Sequence, residues 1–143
     1  MQRSSPTKRT SRVEGTLLGL AAGDKNHGPS HMAWRLASSL AQLGRFDPED
    51  IFARYLEWHR QGSFDTGEVA RIVWDHSLAG MSRRQAVKRA HEELGGLTAG
   101  VNPAHRVAPL AMAAFLPDST LDSAARQGSA LTHAHPLAGD VAA

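Results

Sequence analysis

The sequence has no cysteine, which removes disulfides, thiol nucleophiles, zinc-thiolate knuckles and iron–sulfur clusters from the available chemistry. Any reaction must use carboxylates, imidazoles, hydroxyls or backbone groups, and a cytoplasmic setting is expected. Long apolar runs are also missing. The strongest, 17–22 and 107–116, fall well short of the roughly 20 residues a membrane helix needs, and no apolar export core follows the first methionine. No stretch alternates Val, Ile and Thr, so a sheet is not expected. Acid is absent from residues 1–12, which carry Arg3, Lys8, Arg9 and Arg12. Setting those four aside leaves 12 basic against 14 acidic residues, so a chain of formal charge +2 has a body of −2. The pI near 9.5 is therefore a property of the first residues, read as a disordered basic tail over 1–12. The body has no basic stripe interleaved with exposed aromatics, so a nucleic-acid partner is not expected.

What is present is helical periodicity over 13–143. The 143 residues, 41% apolar and 21% charged, suit one all-α domain. Val13, Leu17, Leu18 and Leu20 form a first amphipathic stretch ending at Gly23. Met32, Leu36, Leu40 and Leu43 form a second, with Pro29-Ser30 before it and Gly44 as its stop. Asp47, Pro48, Glu49 and Asp50 mark a third start, whose buried face would be Ile51, Phe52, Tyr55, Leu56 and Trp58. Val69, Ile72, Val73 and His76 give a fourth helix. Ser82 with Gln85 is a capping box for a fifth, and Val107–Leu116 and Leu121–Leu131 suggest two more. Trp34, Trp58 and Trp74 read as packing residues, and His59, His76 and His91 as ordinary occupants of helix faces.

The loops carry the chemistry-bearing residues. Asp24 stands at the end of a helix, where an acid is electrostatically disfavoured. Asp65 sits between Gly62 and Gly67, either as a helix cap or as a ligand to a metal or a hydroxyl. Asn102-Pro103-Ala104-His105-Arg106 places an amide, an imidazole and a guanidinium at a helix start, suited to a diphosphate; alternatively Arg106 pairs with a carboxylate and Asn102 caps the turn. His27 with His31 and His133 with His135 are weak metal pairs without cysteine or a His-Glu-x-x-His pattern. His133 after Thr132 reads as a hydrogen-bonding residue at a helix end.

Taken together, Gly15-Thr16-Leu17-Leu18-Gly19-Leu20-Ala21-Ala22-Gly23-Asp24, Ser39-Leu40, Phe64-Asp65-Thr66-Gly67, the segment from Asn102 to Ala111, and Leu131-Thr132-His133 resemble, in order, the ADP-ribosylglycohydrolase family. The resemblance implies an all-α, Mg²⁺-assisted hydrolase cleaving an ADP-ribosyl linkage at the anomeric carbon, with ADP-ribose or an ADP-ribosylated substrate as partner. By position it implies catalytic roles for Asp24 and Asp65, with Asp65 also a metal ligand. Gly67, Asn102, His105 and Arg106 would line the ligand cleft, and Thr132 and His133 would support it from behind.

The sequence departs from the family pattern where the Thr-Asp-Asp metal motif is expected. His27-Gly28-Pro29-Ser30-His31-Met32 stands there instead. Family members are roughly twice this length, so the chain reads as the N-terminal part of such a bundle, with exposed helix faces that favour a homo-oligomer. The alternative is a non-catalytic relative that binds ADP-ribose or a nucleotide, or a helical assembly module.

Overall fold

The capping signals set most of the helix boundaries. The computed structural model describes the backbone of residues 6–143 and the side chains of residues 13–143. The elements in order are α1 (Pro6–Gly23), α2 (Gly28–Leu43), α3 (Pro48–Arg60), α4 (Glu68–Leu78), α5 (Arg83–Glu93), α6 (Asn102–Arg106), α7 (Ala108–Met112), α8 (Asp118–Ser129) and α9 (Pro136–Ala142). No strand occurs among the described residues. The Asp47 carboxylate accepts the Glu49 and Asp50 amides at 3.1 Å each to start α3. Gly44, at φ +64, stops α2 and donates to the Leu40 carbonyl. Ser82 and Gln85 close a reciprocal capping box at the head of α5.

Two boundaries differ from the periodicity. α1 begins at Pro6 rather than at Val13. A proline loses nothing at a first helical position, and no breaker separates it from the amphipathic stretch. Residues 1–5 of the expected disordered tail lie outside the described residues. The helix expected over Val107–Leu116 is the shorter α7, and a separate short helix, α6, precedes it, with Val107 as the junction between the two. Pro103 and Pro109 each lack the N–H that would continue a preceding turn, so each opens a new one.

α2 is the central strut, packing against α1, α3, α6 and α7, while α8 and α9 pair with each other and close over α6. The core joins Met32, Leu36 and Leu40 of α2 to Ile51, Phe52, Tyr55 and Trp58 of α3, then to Val73 and Trp74 of α4 and Ala86 and Ala90 of α5. Trp34 does not pack inside as its residue type suggests; it is 62% exposed. Beside it, Leu17, Met112 and Phe115 line an apolar cleft of about 570 Å³ under α1. No helix among the described residues is long and apolar enough to cross a membrane.

Because the box at Ser82 satisfies the backbone donors at the head of α5, Ser82→Ala is expected to lower stability by about 1 kcal/mol. Thermal unfolding followed by circular dichroism should show a drop of a few degrees with helical content unchanged.

Candidate functional site

The site is built on the turn that joins α3 to α4. Gly62, at φ +94, lets the chain leave α3. Asp65 then takes φ +48 and Gly67 φ +75, left-handed values that aspartate tolerates better than most side chains. The turn is pinned from below by the start of α2, where a Cβ on Gly28 would lie 1.8 Å from the Asp65 carbonyl oxygen. Only glycine permits that crossing. The Asp65 carboxylate faces outward, 3.4 Å from His27 Nδ1, with both side chains about half exposed, so the pair adds little stability. Phe64 sets its edge against His31 and Trp58, and His31 stacks on Trp58 with centroids 5.5 Å apart.

Beside this turn lies an open cleft of about 400 Å³ lined by His59, Ser63, Phe64, Asp65, Thr66, Gly67, Glu68 and Arg71. α4 begins here at Gly67 with no side-chain cap. Its first amides are therefore available at the positive end of an 11-residue helix.

From the turn a chain of hydrogen bonds runs into the protein. Asn102 Nδ2 donates to the Thr66 carbonyl at 3.2 Å, and Asn102 Oδ1 accepts from Arg106 Nη1, also at 3.2 Å. Arg106 is 1% exposed. Its Nη1 also meets Met32 Sδ, while Nη2 donates to the Gly128 carbonyl and to Thr132 Oγ1, the latter at 2.8 Å. The guanidinium lies 5.2 Å from the centre of the Tyr55 ring. Among the described residues no carboxylate pairs with it. Burial lowers its pKa from the ordinary guanidinium value, and Tyr55 opposes that shift. Arg106 is thus placed neither to grip a phosphate at the surface nor to pair with an acid. It ties α6 to α2 and to the end of α8. His105, its neighbour, is exposed.

Thr132 carries the network one step further, to His133 Nδ1 at 2.8 Å. Since the Thr132 oxygen already accepts from Arg106, its proton is free to donate to the imidazole, which puts the ring's own proton on Nε2. Burial, and then the nearby Arg106 charge, hold His133 down at about 3.

Asp24 is explained by the next helix rather than by its own. Its carboxylate accepts the Ser30 amide at 2.9 Å and the Ser30 hydroxyl at 2.8 Å, so it serves the N-terminus of α2, whose cap residue His27 makes no side-chain capping bond. Asp24 and Asp65 lie at the same end of α2 but share no partner. Among the described residues there is no group of three or more His, Asp or Glu side chains arranged to hold a metal ion. The residues present do not fit an assisting Mg²⁺. One carboxylate, Asp24, is committed to the start of α2, and residues 27–32, which contain the Gly28 crossing, carry no Asp or Glu.

The loop residues pointed to Asp65 and Asn102, and the resemblance to Thr132, but neither showed what holds them in place. Nothing local singles out Gly28, and Met32 and Tyr55 read as plain core. His59, on a helix face, bonds to Ser63 and Asp75 at the edge of the cleft; an i, i+4 His–Ser pair straddling a helix end is the only local signal of it.

Arg106→Ala would leave Thr132 Oγ1, Asn102 Oδ1 and the Gly128 carbonyl short of a donor and open a cavity. A loss of about 3–5 kcal/mol is expected, read as a reduced urea midpoint. For His133 the sign follows from the depressed value: above the ordinary imidazole value of about 6.5 both states are neutral and the contribution is complete. Between there and about 3 only the unfolded state takes up the proton. Stability is then expected to fall on acidification by up to about 1.4 kcal/mol per pH unit from this group. Urea midpoints taken from neutral pH down to about pH 4 should decline less steeply in His133→Gln.

No curated protein and no solved structure gives a significant match. A family model does: ADP-ribosylglycohydrolase, over residues 29–143. That span holds the Asp65 turn, Asn102, Arg106, Thr132 and His133, the same residues that the hydrogen-bond chain links. The chain belongs to the ADP-ribosylglycohydrolase family.

Proposed function

We propose that this chain recognises the ADP-ribosyl group in the cleft beside Asp65, and that it does so without a resident metal. The supporting observation is the left-handed Asp65 turn, which holds an exposed carboxylate next to the uncapped start of α4. A carboxylate accepts hydrogen bonds from ribose hydroxyls. Free amides at a helix N-terminus, together with Gly67, whose lack of a side chain lets a ligand approach the backbone, suit a diphosphate. Asn102 fixes the Thr66 carbonyl and so the shape of the turn. Arg106, Thr132 and His133 hold Asn102 from behind, and exposed His105 lies on the same short helix.

Family membership favours a second reading, in which the bound ADP-ribosyl linkage is also hydrolysed. Water would attack the anomeric carbon, Asp65 would accept its proton, and the glycosidic bond would break with its electron pair on the leaving group, which takes up that proton. Asp24, its oxygen engaged by Ser30, is less free to take that role. A metal-assisted form of this step lacks a ligand set among the described residues, which is why recognition is placed first.

Calorimetric titration of ADP-ribose is expected to give binding in the millimolar range or tighter, about 4 kcal/mol or more, unchanged by Mg²⁺ or chelator and lost in Asp65→Ala. Binding that requires Mg²⁺, accompanied by release of free ADP-ribose from an ADP-ribosylated protein, would replace this reading with the hydrolytic one. No binding by the folded chain would overturn both.

A further inference from the structure

One side of the same cleft carries a constellation that ADP-ribosyl recognition does not use. His59, in the last turn of α3, sets its Nδ1 2.6 Å from Ser63 Oγ and its Nε2 2.7 Å from Asp75 Oδ1 on α4. The second oxygen of Asp75 accepts from Arg71 Nη1 at 2.9 Å, so the carboxylate is held at both ends. The protonation pattern follows from the partners. A carboxylate only accepts, so Nε2 carries the ring proton, and Nδ1 is left as the base that takes the Ser63 hydroxyl proton. The imidazole is only 15% exposed and leans on the Trp74 ring, 5.4 Å away. His59 and Ser63 both line the cleft of about 400 Å³. Nucleophile, base and orienting acid are thus in hydrogen-bond series at an open cavity, the arrangement that activates a serine. The two ring nitrogens exchange the places they have in the serine-protease template, which the chemistry allows because either nitrogen is basic once the other is protonated.

We propose that Ser63, His59 and Asp75 form a serine-hydrolase relay acting on small carboxylic esters that enter this cleft, an activity separate from ADP-ribosyl recognition. Ser63 Oγ attacks the carbonyl carbon as its proton passes to His59 Nδ1, and Asp75 stabilises the imidazolium through Nε2. The backbone amides of residues 63–68, which donate to no protein acceptor among the described hydrogen bonds, are the available donors for the oxyanion. On collapse the ester C–O bond breaks and the alkoxide takes the proton from His59. Water, deprotonated by the same nitrogen, then cleaves the Ser63 acyl ester. One ester and one water give one acid and one alcohol.

The test uses the purified chain with p-nitrophenyl acetate, and separately with a fluorophosphonate probe whose P–F bond breaks as an Oγ–P bond forms. Expected are stoichiometric labelling mapped by peptide mass spectrometry to Ser63, and a p-nitrophenol burst of about one equivalent. Ser63→Ala should lose both while keeping its helical circular dichroism. Asp75→Asn, a positioning variant, should lower kcat at least tenfold with KM little changed, whereas simple loosening of the turn would raise KM. Labelling at another serine, no labelling, or hydrolysis in Ser63→Ala at the unsubstituted rate would overturn the proposal, whatever ADP-ribose does in the same preparation.

Discussion

A guanidinium removed from water has to find acceptors for its protons, and Arg106 finds them in four separate parts of the chain. Met32 comes from α2, Asn102 from its own helix, the Gly128 carbonyl from α8, and Thr132 from the segment after it. Tyr55 of α3 supplies a ring face. With no carboxylate in the set, the charge stays buried only while all of these remain in place, since losing one partner exposes the desolvation cost of the rest. The packing of α6 between α2, α8 and α9 follows from that requirement. So does the position of Asn102, and through its bond to Thr66 the position of the Asp65 turn. The cleft is outside, but its geometry is held from within.

The second constraint is steric and lies at the head of α2. There the chain passes under the Asp65 carbonyl so closely that no side chain fits at position 28. Asp24 reaches across to the Ser30 amide, and His27 turns toward Asp65. These contacts fill the space at the head of α2. Around the turn the polar groups are the His27 and His59 imidazoles, the Asp65 and Glu68 carboxylates and the Arg71 guanidinium.

His133 shows how one network can serve structure and electrostatics together. Its neutral form accepts the Thr132 hydroxyl, which lets the threonine oxygen accept from Arg106. Protonating it would set a donor against a donor and a cation beside a buried cation. Its depressed pKa and the burial of Arg106 are therefore two aspects of a single arrangement, joined through Thr132.

The elements were largely legible in the residues, because caps and apolar periodicity are local physics. Asp47-Pro48, Ser82 with Gln85 and Gly44 each mark a boundary without reference to the rest of the chain, and most of the expected faces of α2 and α3 are buried, Met32, Leu36, Leu40, Ile51, Phe52, Tyr55 and Trp58 among them, while Leu43 at the end of α2 is exposed. Asp65, Asn102 and Thr132 were also visible, as unusual polar residues in loops. What the local pattern could not carry was orientation. Whether Arg106 points outward to a ligand or inward to Tyr55, whether Asp24 serves its own helix or the next one, and whether His59 meets Asp75 depend on how helices dozens of residues apart come to rest against each other. Periodicity specifies which face of a helix is apolar, while the partner of a buried polar group is set by packing, since its desolvation is repaid only by the acceptors that the assembled fold brings within reach.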